Sequence, residues 1–95
     1  MNLRHQELMS CRVCGLLQGD PPWGEDGSSP TFDICPCCGV EFGYEDSLVK
    51  GVHLYREAWL KKGAPWQTPK DRPQDWDLEA QLSQVPGEFK TPPKA

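Results

Sequence analysis

Five cysteines lie in the first half of this 95-residue chain: Cys11, Cys14, Cys35, Cys37 and Cys38. Cys11 and Cys14 form one C-x2-C pair, Cys35 and Cys38 a second, with twenty residues between the pairs. Two thiolates separated by two residues can face one cation across a tight turn, and two such pairs complete a tetrahedral shell of four sulfurs. A glycine follows each pair, Gly15 and Gly39. Glycine takes the left-handed backbone that turns N–H groups toward the sulfurs. A shell closed by four protein ligands leaves no position for water or substrate, so the expected role is structural. Zinc is the expected ion, with iron as the alternative, because four sulfurs accept either. Cys37 falls outside the C-x2-C spacing and is read as a spare thiol that packs without ligating. The odd number of cysteines also argues against a complete disulfide framework.

Little else in the chain could carry chemistry. The histidines, His5 and His53, fall in the first ten residues and on a helical segment. Neither pairs with a nucleophile or a second metal ligand. No Ser/His/Asp set, phosphate-cradling glycine loop or paired-carboxylate motif stands out. A chain of 95 residues with only 37% hydrophobic residues has little core from which to build a pocket. A non-enzymatic protein is expected.

Charge is the second signal. Net charge is −4, yet no Lys or Arg stands between Val13 and Val49. The same stretch carries Asp20, Glu25, Asp26, Asp33, Glu41, Glu45 and Asp46. Lys50 to Arg72 reverses the sign: Lys50, Arg56, Lys61, Lys62, Lys70 and Arg72 against Glu57 and Asp71. An acidic surface repels phosphate backbones, whereas nucleic-acid modules carry a basic face. The acidic half therefore predicts a protein partner with a basic surface. Asp20, Glu25, Asp26, Glu41, Glu45 and Asp46 are the candidate contact residues, with Trp23 as an aromatic anchor in the loop.

The elements needed to position these groups follow from local pattern. Residues 1–10 read as a short leader, and 11–46 as the cysteine module. Phe32-Asp33-Ile34 and Val40-Glu41-Phe42 alternate apolar and polar, as short half-buried strands do. The loop between the pairs, QGDPPWGEDGSSPT, is built of turn residues. A helix is expected over 47–63, capped by Ser47 and stopped by Gly63, with Leu48, Val52, Tyr55 and Trp59 on one face. Gly51 costs about 1 kcal/mol relative to Ala there and argues for a start nearer Val52. Residues 64–89 form a Pro- and Trp-rich connector with a short helix at 77–84 capped by Asp77, and 90–95 a disordered tail. The fold class expected is small α+β: a zinc ribbon of short antiparallel strands and two CxxCG knuckles, followed by one or two helices. No apolar stretch is long enough for a signal peptide or a membrane span, so a soluble cytoplasmic protein is expected.

CRVCG, PPWGEDG, FDICPCCGVEFGYED and the following YREAWL resemble a bacterial cysteine-rich family known for its CPCC motif. Here the CPCC string stands in the second knuckle, and the likeness covers residues 11–62. Some proteins of this type resemble immunity proteins that stand beside secreted toxins. The resemblance therefore implies an immunity or antitoxin protein that blocks a toxin, a nuclease for example, with its acidic face. Two alternatives stand beside it. The knuckles also resemble those of rubredoxin, which would imply iron and electron transfer. The basic 50–72 segment could instead bind nucleic acid with the metal as scaffold.

Overall fold

A computed structural model of the protein describes residues 3–90, with side chains from His5 onward. Three helices are present among them: α1 (Leu3–Met9), α2 (Val49–Lys61) and α3 (Leu78–Leu82). Two 3-10 turns, Pro69–Asp71 and Gly87–Phe89, flank α3. The rest is turn and loop wrapped around the cysteines.

The expected zinc ribbon is not formed. No β-strand or sheet occurs among the described residues; two isolated antiparallel bridges, Ser10 with Leu17 and Ile34 with Glu41, are the whole of the β pairing. The reason is local. Phe32 takes a left-handed backbone, φ 64°, which ends any extended run before it starts. Phe32 and Ile34 also face outward, so that segment has no buried apolar face to drive sheet formation. Val40 and Phe42 do alternate as expected, both buried on either side of Glu41.

Residues 3–9 are helical and tied down. Ser10 is buried and its hydroxyl donates to the Gln6 carbonyl at 2.9 Å, while the Glu7 carboxylate accepts from the Gly87 N–H at 2.8 Å. Of the expected tail, Lys90 ends the last 3-10 turn and 91–95 lie outside the described residues.

Helix α2 begins at Val49, without a side-chain cap. Ser47 instead turns its hydroxyl back onto the Gly43 and Tyr44 carbonyls. Gly51 is not a defect here: a Cβ would lie 2.7 Å from the Glu45 carbonyl, so only glycine lets the helix approach the end of the cysteine module. Val52 and Trp59 are buried and Tyr55 is half-buried, but Leu48 precedes the first turn and stands in solvent. Helix α2 ends where Gly63 and then Ala64 take positive φ, returning the Ala64 N–H to the Trp59 carbonyl at 3.0 Å. Asp77 caps α3 as its type predicts, accepting from the Ala80 N–H.

The interior is largely the cysteine cluster itself. Five of the fourteen buried apolar residues are cysteines, packed with Val13, Val40, Phe42, Val52, Trp59, Trp66, Val85 and Phe89. So little hydrocarbon is typical of small domains that rely on a staple besides their apolar core.

Candidate metal centre

The two cysteine turns are the same device used twice, offset by 24 residues. In the first, the Cys11 N–H donates to Leu16 O at 2.9 Å and the Gly15 N–H to Cys11 O at 3.0 Å. In the second, the Cys35 N–H donates to Val40 O at 2.9 Å and the Gly39 N–H to Cys35 O at 3.0 Å. The stems match as well: Gln18 N–H bonds to Met9 O, Phe42 N–H to Asp33 O, and each knuckle is closed by one of the antiparallel bridges. Gly15 and Gly39 take φ of 87° and 82°. Their N–H groups close the turn on the first cysteine's carbonyl rather than pointing at sulfur. A Cβ at Gly15 would run into the Gln81 carbonyl, whereas one at Gly39 would meet the movable end of the Gln67 side chain.

Facing each other, the knuckles bring four sulfurs together. Cys11, Cys14, Cys35 and Cys38 are buried, and their Sγ atoms all lie within 4.8 Å of one another. The closest pairs cross between knuckles: Cys11 to Cys38 and Cys14 to Cys35, each 3.7 Å. A regular tetrahedron with metal–sulfur bonds of about 2.3 Å has edges of about 3.8 Å. Two of the six edges match that value and the others lie within 4.8 Å, so the set could hold a tetrahedral metal ion. Hydrogen bonds among the sulfurs, that from Cys11 foremost, hold the Cys35 thiol far below its ordinary range and push Cys14 up; burial pushes Cys38 up. Four buried thiolates cannot coexist unaided, and a divalent cation resolves this by replacing the shared protons.

What surrounds the knuckles is less symmetric, and most of it escaped sequence reasoning. In the first knuckle the carbonyls of Arg12 and Val13 accept from the Arg56 guanidinium at 2.9 and 2.6 Å, and a third bond runs from Arg56 to the Phe89 carbonyl at 2.9 Å. In the second, the equivalent carbonyls of Pro36 and Cys37 accept backbone N–H groups from Thr68 and Gln67, both at 2.9 Å. The last cysteine of each knuckle is covered likewise: Gln81 Nε2 donates to Cys14 O at 3.3 Å and the Tyr55 hydroxyl to Cys38 O at 3.0 Å. The connector and α3 are thus part of the site. Gln18 Nε2 lies 3.6 Å from the Cys35 sulfur, and Gln81 Nε2 lies 3.3 Å from that of Cys37. Cys37 is fully buried, outside the four-sulfur set, at the place that Val13 holds in the first knuckle. Burial lowers the Arg56 pKa and the Cys11 thiolate opposes this most strongly, so the guanidinium stays charged beside the sulfurs. One signal could have found Arg56: it stands four residues after Val52 and three before Trp59, on the buried stripe of α2.

Two relatives match this chain in sequence. Uncharacterized protein YoaQ of Bacillus subtilis (strain 168) is 37% identical over 87 aligned residues, covering 74% of this chain and 72% of its own length. Uncharacterized protein YozI of the same strain is 32% identical over 87 residues, covering 73% of this chain and 70% of its own. The chain belongs to the family of YoaQ and YozI. No family model and no solved structure matches it.

In this YoaQ and YozI family member the other candidate residues fall into two groups. Asp20, Glu25 and Asp26 are exposed on the inter-knuckle loop, and Glu41 and Glu45 are half-buried at the second knuckle. The Ser28 N–H and Ser29 hydroxyl hold the Asp26 carboxyl below its ordinary range. Asp46 is not a surface residue. It is fully buried, accepting from Trp23 Nε1 and the Gly43 N–H, both at 2.8 Å. Trp23 is likewise no exposed anchor: its ring lies half-buried, 3.9 Å from the Arg12 guanidinium, which also stacks 4.6 Å from Phe89. Arg12 donates to the Asp46 and Gly27 carbonyls, locking the loop to the first knuckle. In the basic 50–72 segment, Lys50, Lys61, Lys62 and Lys70 are exposed. Arg56 is turned inward, and Arg72 lies 5.2 Å over Trp76. No helix among the described residues is long and apolar enough to cross a membrane.

Proposed function

We propose that the chain is a zinc-held, non-enzymatic protein-binding module whose metal orders the fold and performs no chemistry. The observation that carries this reading is the closed set of four buried sulfurs at tetrahedral spacing. It supplies every ligand a zinc ion takes and leaves no open position. Function then falls to the surface the metal organises. The acidic residues that remain exposed, Asp20, Glu25, Asp26 and Asp33, support a partner with a basic surface. In the narrower form implied by the CPCC-type resemblance, that partner is a secreted toxin.

Metal analysis of the purified full chain tests the proposal. One equivalent of zinc, a colourless protein and loss of the folded state on chelation are the expected results. A red protein with one equivalent of iron would replace the proposal with electron transfer. A chain that stays folded with no metal would overturn the structural role.

A further inference from the structure

Five large apolar side chains stand in solvent on one part of the surface. Phe32 is 61% exposed, Ile34 56%, Tyr44 74%, Leu48 73% and Leu54 58%. Three of them share one groove, and Phe32 lies beside the backbone of Gly43, which precedes Tyr44 in sequence. A groove of about 510 Å³ is lined by Tyr44, Leu48 and Leu54 across Gly51. The Phe32 ring lies against the Gly43 backbone, next to Tyr44, close enough that a Cβ at Gly43 would sit 2.8 Å from it. Ile34 is two residues along the same segment and is paired with Glu41. Isolated exposed leucines need no explanation, but a contiguous set of this size marks an interaction surface.

Two independent features say that the set is built for use. Phe32 is held at φ 64°, a strained backbone for an aromatic residue, with its side chain mostly exposed. The charge around the set is also one-sided. Glu45 is the one charged residue that lines the groove, and Asp33 and Glu41 lie next to Phe32, Ile34 and Phe42 in sequence. A second copy of the chain would bring these carboxylates face to face, which disfavours self-association.

Resting on the binding-module reading, we infer that this patch seats an amphipathic helix from a partner, with apolar anchors in the groove and Lys or Arg on its flanks. The zinc-loaded full chain is titrated with three synthetic peptides while its backbone amide resonances are followed. One is a Leu/Lys amphipathic helix, one has the same Leu pattern with Glu, and one is a Lys/Ser peptide without apolar residues. The Leu/Lys peptide should bind saturably, with shifts confined to Phe32, Ile34, Tyr44, Leu48, Leu54 and their neighbours. The other two should not saturate. Leu48→Ser combined with Leu54→Ser should weaken binding about tenfold or more while the remaining resonances and the metal content stay unchanged. Equal binding of the Glu peptide, shifts elsewhere, or concentration-dependent shifts at the patch in the free protein would each overturn the inference. A native partner that cross-links from a photoreactive residue at Glu79 and not from Tyr44 would also remove it, while leaving the binding-module reading standing.

Discussion

Replacing Arg56 by Met keeps the aliphatic stem and removes every donor. The guanidinium bonds three carbonyls on two separate segments: Val13 at 2.6 Å, and Arg12 and Phe89 at 2.9 Å. Hydrogen bonds from a charged donor contribute about 1.5–3 kcal/mol each, but Arg56 is only half-buried and water can serve part of what it leaves behind. Counting roughly 1 kcal/mol for each stranded carbonyl gives an expected loss of about 2–4 kcal/mol. For a domain of this size that corresponds to a drop in melting temperature of roughly 10–30 °C. Thermal unfolding of the zinc-loaded protein by circular dichroism measures it. Competition with a chromophoric chelator separately reports zinc affinity, which should also fall because a positive charge beside the thiolates is lost. Arg56→Lys keeps that charge but cannot fork to three acceptors. It should recover most of the zinc affinity and less than half of the stability. A Met variant melting within about 3 °C of the parent, or a Lys variant as stable as the parent, would refute the account of how the first knuckle is held.

Two further outcomes follow from the same geometry. Cys38→Ser should abolish stoichiometric zinc binding and the folded state, whereas Cys37→Ser should keep one zinc at a cost of about 1 kcal/mol, because its sulfur contributes packing and accepts from Gln81 Nε2; zinc content with chemical unfolding distinguishes them, and metal loss from the Cys37 variant alone would reverse the ligand assignment. Burial pushes the Tyr55 phenol up to about 12, and the negative charges of Cys38 and Glu45 add to the shift. The proton is held more tightly folded than unfolded, so this stabilisation is complete below about pH 10 and is lost as pH rises through 12; in a Tyr44→Phe background, ultraviolet titration should show a single phenol ionising near the upper value, and ionisation near 10 would show that Tyr55 is not buried against the second knuckle.

The four-sulfur set was legible because its signal is covalent spacing. Cys11, Cys14, Cys35 and Cys38 lie where two turns of fixed geometry put them, and no distant residue is needed to say so. Helix α2 and the Asp77 cap were legible for the same local reason. The strands were not, because alternation in Phe32-Asp33-Ile34 mimics a half-buried strand while the segment is exposed and broken by the backbone of Phe32. Asp46 and Trp23 were read as surface groups from composition, yet each is the other's partner across 23 residues. Gln81 and Gln67 carried no local signal. Their roles come from contacts 67 and 30 residues away along the chain, with Cys14 and Cys37, which only the folded arrangement supplies.

The capping of both knuckles by residues 56–81 has a consequence for the life of the protein in a cell. Pro36, Cys37 and Cys14 hold the connector and α3 only while the sulfurs hold their turns in place. Withdrawing the ion releases the C-terminal third of the chain along with the knuckles, uncovering Trp59, Trp66 and Val85 together with a proline-rich stretch suited to protease entry. For the proposed zinc-held module, chelation is therefore expected to expose the C-terminal third of the chain to proteolysis before any other part.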